Sequence, residues 1–190
     1  MLTDDTVHAI WTALAGAEAT VDRDGWDRPP LLLGLFTDQP GGQPPRVHLA
    51  EFPLPDRWNV PIPGTSGATV PNVFVLQSLA DILAESPRSA EIGHWLHRPG
   101  LTFTGMGFCC EAWMTRGYQH YRYGDLNAVP AMADAEVRVL VAVDIDQRIY
   151  QVRRTRGDTT VEVTVDNEPA PEAWQANIPD ALRRLVAALR

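Results

Sequence analysis

The chain has 190 residues, 45% of them hydrophobic, 21% charged, and a formal net charge of -8. That length suits one domain of ordinary globular composition, with enough chain to bury a core. The acidic balance argues against non-specific nucleic-acid binding, which leaves a basic footprint. No apolar run approaches the ~20 residues of a membrane-spanning helix, and MLTDDTVHAIW lacks the basic and apolar regions of a secretory signal. The expectation is a single α+β domain, 1–190, that is cytoplasmic.

All 16 basic residues are arginine. The absence of lysine excludes a P-loop lysine and a lysine-linked pyridoxal site. It fits coding in a high-GC genome, actinobacterial or phage. The two cysteines, Cys109 and Cys110, are adjacent. No disulfide framework and no CxxC zinc site can be built from them.

In chain order, residues 3–18 read as an amphipathic helix: Val7, Ile10, Trp11 and Leu14 share one face, Thr3 is a cap, and Asp4 and Asp5 suit the positive end. Polar residues 19–30 read as a loop. Leu31–Phe36 and Val47–Phe52 read as two strands joined by a turn-rich loop at 38–45. Prolines 53, 55, 61, 63 and 71 make 53–71 a long loop. Val73–Glu85 after Asn72 reads as a helix, followed by a shorter one that stops at His97 before Pro99-Gly100.

Leu101–Met114 reads as a strand in which Gly105 and Gly107 mark a bulge or a close backbone approach. Residues 116–135 read as an aromatic, polar loop. Alternation then predicts an antiparallel meander: Val137–Ile145, Ile149–Arg154 and Thr160–Val165, with Glu162 and Thr164 outward. A last helix begins near Pro179 with Leu182, Leu185, Val186 and Leu189 as its stripe. The predicted order is α-β-β-α-α-β-β-β-β-α: one antiparallel sheet of about six strands with helices packed on one face. Apolar residues on both parities of the meander call for cover on the second face too, from the 53–71 loop, the 116–135 loop or a second subunit.

No complete catalytic set emerges. Glu111 lies in the apolar stretch FCCEAWM, where a carboxylate must be paired, exposed at an edge or functional. A salt bridge to Arg138 or Arg153 on a neighbouring strand is the expected answer. The enzymatic alternative is a small hydrolase-like protein using Glu111, His120 and Asp125 as acid–base groups. Glu91, His94 and His97 recur at spacing three, as metal ligands on one helix face would, but a single E-x-x-H is half of a di-iron pattern, and the expectation is no metal and no cofactor. Tyr118, Tyr121, Arg122 and Tyr123 interleave the residue types that carry recognition hot spots, and Trp58 stands in the proline-rich loop.

The function expected from these features is a non-catalytic binding or assembly module, partnered by another protein or by itself as a homodimer. A small-ligand sensor is a further alternative, in which a small molecule would occupy an apolar cavity.

Overall fold

A computed structural model describes residues 1–38, 43–53, 58, 60–61, 70, 72–85, 90–114, 135–166 and 178–190, with Trp113 and Met114 described in backbone only. The elements are α1 (Asp4–Arg23), β1 (Leu31–Asp38), β2 (Arg46–Glu51), α2 (Asn72–Glu85), α3 (Ala90–Leu96), β3 (Thr102–Met114), β4 (Ala135–Asp144), β5 (Ile149–Thr155), β6 (Glu162–Asp166) and α4 (Ile178–Leu189). The order is the one the sequence predicts. The six strands form one sheet, β2-β1-β3-β4-β5-β6, antiparallel throughout.

Alternation along each strand divides the core in two. On one face, Phe36, Met106, Phe108, Cys110, Val137, Val139, Val141 and Val143 meet α2, α3 and α4 through Leu76, Trp95, Leu182 and Leu185. On the other, Leu35, Cys109, Leu140, Ala142, Tyr150 and Val152 meet α1 through Ile10 and Leu14. Three helices thus share one face, as predicted for the helices, and α1 departs from that by lying across the opposite one. The chain itself supplies the second cover that the double parity of β4 and β5 demands.

Two glycines set close approaches. A Cβ on Gly34 would stand 2.2 Å from the Trp95 ring, so the empty position admits that indole to the sheet, where its Nε1–H donates to the Glu51 carbonyl at 2.8 Å. A Cβ on Gly105 would stand 2.5 Å from the Val143 carbonyl oxygen. The β1–β3 register slips between Leu35 and Phe36, which pair with Gly105 and Phe103 and skip Thr104. Bulge and close approach therefore occur together at the position the glycines marked.

α1 runs five residues past the predicted end at residue 18. Thr3 caps it, its hydroxyl accepting from the Thr6 amide at 3.2 Å. Its buried ridge is Thr6, Ile10, Leu14, Glu18, spaced by four. The polarity that suggested a loop after residue 18 is the same ridge continued in charged residues.

Candidate functional site

Beyond Ile10 and Leu14, the α1 ridge turns acidic just where the sheet beneath it turns basic. The register sets Glu111 on β3 beside Arg138 on β4, and Arg138 beside Arg154 on β5. These three side chains form one row on the α1 face. Arginines on adjacent strands repel. Glu18 stands between them: Arg154 donates to it through Nε (2.8 Å) and Nη2 (2.7 Å), and Arg138 Nη1 lies 3.6 Å from the same carboxylate. Asp22, one turn on, accepts from Arg138 Nη1 at 3.2 Å. Glu18 is fully buried and Arg138 is 1% exposed. Buried charges survive only when paired and hydrogen-bonded, and the fork of an arginine suits two carboxylates at once.

Glu111 occupies the other side of Arg138. Its Oε1 accepts from Arg138 Nη2 at 3.0 Å and its Oε2 from the Asp27 amide at 2.8 Å. Arg138 Nη2 also donates to the Gly25 carbonyl at 2.6 Å. The turn after α1 that presents these groups needs left-handed backbone at Gly25 (φ 95) and Asp27 (φ 66). Between them, Trp26 receives Arg138 on its ring at 4.4 Å and Arg156 at 5.4 Å. Arg156, 45% exposed, bonds Glu136 at 2.5 Å and Asp27 at 3.2 Å. Ligand oxygens of Asp27, Glu111 and Glu136 lie within 4.8 Å of one another, the grouping of three potential metal ligands found among the described residues. Arg138 bonds Glu111 and Arg156 bonds Glu136 and Asp27, so each of the three carboxylates has a guanidinium partner.

At the opposite end of the same face, buried Asp144 is enclosed by the β4–β5 turn. Its Oδ1 accepts from the amides of Asp146 and Arg148, and its Oδ2 from Tyr150 Oη at 2.8 Å and Arg148 Nη1 at 3.3 Å. Burial, with the Asp144 charge beside it, pushes the Tyr150 phenol well above its usual range. Asp146 accepts from the Leu2 amide, which holds its carboxyl below the usual value.

Of the residues singled out in the sequence, Glu111 is in the ion network with Arg138, while Arg153 pairs with Glu162. His120, Asp125, Tyr118, Tyr121, Arg122 and Tyr123 lie outside the described residues. Their segment connects Met114 to Ala135, which pair with each other at the end of the sheet nearest Glu111 and Glu136. Glu91, His94 and His97 are exposed at and just beyond α3, and their ligand atoms do not converge within 4.8 Å. Trp58 is half-buried and packs on Phe108 at 5.2 Å between ring centroids. Cys109 and Cys110 point to opposite faces. Burial raises the Cys109 thiol to about 12, against the pull of Arg138, and raises Cys110 as well. Neither is a reactive thiolate at neutral pH.

Sequence reasoning missed Glu18, Asp22, Trp26 and Arg154. The spacing 10, 14, 18, 22 was the available signal for the first two. Between α1 and the β1–β2 hairpin runs an open groove of about 430 Å³, lined by Asp5, His8, Ala9, Thr12, Ala13, Pro44, Pro45 and Val47. The His8 ring meets Trp11 edge-on, and its Nδ1 accepts from Trp11 Nε1 at 3.2 Å.

Compared with family models, with curated proteins and with solved structures, the chain finds no match.

Proposed function

We propose that the chain is a non-catalytic binding or assembly module that works as a homo-oligomer, in the reducing interior of the cell, where its two thiols stay free. The observation that carries the non-catalytic reading is the state of Glu111. Both its carboxylate oxygens are engaged, by Arg138 and by the Asp27 amide, inside a cross-linked ion network that fastens α1 to the sheet. A general acid or base must reach a substrate proton, and a carboxylate so engaged is spent on structure. The double cover of the sheet moves any binding surface to the outside of the helices, the strand edges or the residues between Met114 and Ala135.

The test compares the native protein with Glu111→Gln. A panel of ester, phosphoester, amide and glycoside substrates should reveal no turnover that depends on Glu111, while the melting temperature falls. Turnover lost in Glu111→Gln at unchanged melting temperature would replace this reading with the hydrolase one. Sedimentation velocity over a concentration series tests the oligomeric part.

A further inference from the structure

We infer that the outer face of α2 is the surface through which two copies of this chain associate, as an antiparallel helix pair crossing at Ser78. The inference rests on the reading of the protein as a binding or assembly module and names its surface and partner.

The inner face of α2, Val73, Leu76, Leu79 and Ala80, is buried in the core. Its outer face carries Phe74 at 54% exposure and Ile82 at 53%, two large apolar side chains left in solvent. They stand at i and i+8 with exposed Ser78 midway, on one i±4 ridge. This row is symmetric about Ser78. Under a twofold axis through that residue, Phe74 of one copy meets Ile82 of the other, and the small serine lets the backbones close. Such self-complementarity is what an isologous contact requires, and ridges of this kind cross at about -50°.

Charge points to the same partner. The first turn of α2 has no acidic residue and its last turn no basic one. Exposed Asp81 and Glu85 instead occupy the C-terminal half, where the helix dipole is already negative. An antiparallel second copy corrects this. It lays each acidic half beside the positive N-terminus of its neighbour. Arg184 of α4 already bonds Asp81 within the chain, so Glu85 is the acid that the neighbour's N-terminus answers. A contact centred on two large apolar side chains per copy belongs with small, transient interfaces, so the dimer is expected to be weak.

Sedimentation equilibrium from ~5 to ~500 µM, a range chosen to span that weak regime, should show a monomer–dimer equilibrium. Ile82→Glu and Phe74→Glu should each raise Kd at least about tenfold, with circular dichroism unchanged. Phe74→Glu also adds the acid that the first turn lacks, which favours folding. Ser78→Cys should oxidise to a covalent dimer. Helix axes about 8–10 Å apart bring residues at the crossing within disulfide reach, and the native cysteines are buried. Thr12→Cys, exposed on α1, should not link. A monomer throughout the range would overturn the inference. So would a dimer indifferent to both charged variants, or equal linking through Thr12→Cys. A monomer would also sink the homo-oligomeric part of the module reading, whereas the last two outcomes overturn this surface alone; the non-catalytic part fails separately, by Glu111-dependent turnover.

Discussion

The two faces of the sheet are built by different physics. Under α2, α3 and α4 the interface is aliphatic and aromatic, held by burial and by edge-on ring contacts such as Phe36–Trp95 and Phe52–Trp95. Under α1, the apolar patch around Ile10, Leu14 and Tyr150 is small and flanked by charge. Glu18, Glu111, Glu136, Arg138, Asp144 and Arg154, the buried charged residues among those described, all lie on this side. The α2–α4 face can exchange one hydrophobe for another of similar volume at modest cost. The α1 face depends on partners in fixed geometry, and losing one strands another.

The sharpest way to break the comparison is Arg138→Met. It removes one cation and leaves Glu111 and Asp22 short of a partner, and we expect a loss of about 3–5 kcal/mol in urea unfolding. Leu182→Ala on the other face should cost about 2–5 kcal/mol for a different reason, the cavity it leaves. The cycle pairing Arg138→Met with Glu111→Gln tells the two apart. The double variant should be more stable than the sum of its single losses by about 0.5–3 kcal/mol. Additivity there would show that the charges do not act as a unit.

Next come the glycines at each face. Gly34→Ala drives a methyl into the Trp95 ring, and Gly105→Ala drives one into the Val143 carbonyl. Each should cost about 1–3 kcal/mol by thermal melting. Gly105→Ala is the worse of the two, because backbone cannot rotate away.

Alkaline pH probes the polar face through Tyr150. The Tyr150 phenol titrates higher in the folded chain than in the unfolded one. Its contribution is therefore complete below about pH 10 and declines above it, by about 1.4 kcal/mol per pH unit. The raised thiols of Cys109 and Cys110 act in the same direction. The informative quantity is then the difference in slope between the native chain and Tyr150→Phe, in urea titrations from pH 9 to 11. Equal slopes would place the phenol in water.

The smallest effect compares the cysteines. With Cys110→Ala, Cys109 reports opening beneath α1, and with Cys109→Ala, Cys110 reports opening beneath the other helices. Alkylation of Cys109 should be about tenfold faster, since one helix must lift rather than three. Faster labelling of Cys110 would reverse the ranking of the two faces.

The same contrast explains what was legible in the sequence. The meander was readable because Val137, Val139, Val141 and Val143 alternate against residues that serve the other face. The bulge was readable because Gly105 is a position without a side chain. Glu111 could be paired with Arg138 because an apolar strand forces a carboxylate to find a cation nearby, and the register made that cation its direct neighbour. Glu18 and Asp22 escaped. A hydrophobicity pattern ends where charge begins, and these residues are held by partners that lie more than a hundred positions away. Trp26 escaped for a related reason: its setting between two guanidinium groups depends on strands that follow it by more than a hundred residues.

The side-by-side placement of Arg138 and Arg154 has a kinetic consequence. Until α1 arrives, the meander holds two guanidinium groups on neighbouring strands with Glu111 as their only acidic neighbour in the row. The helix that brings Glu18 and Asp22 comes from the far end of the chain, 136 residues from Arg154. Closing so long a loop is slow, and the sheet meanwhile presents a positive patch to an acidic helix. Docking of α1 is thus expected as the last step of folding, drawn in by long-range attraction. Its rate should fall as added salt shortens the Debye length, while the collapse of α2, α3 and α4 onto their own face proceeds at a rate that salt leaves alone.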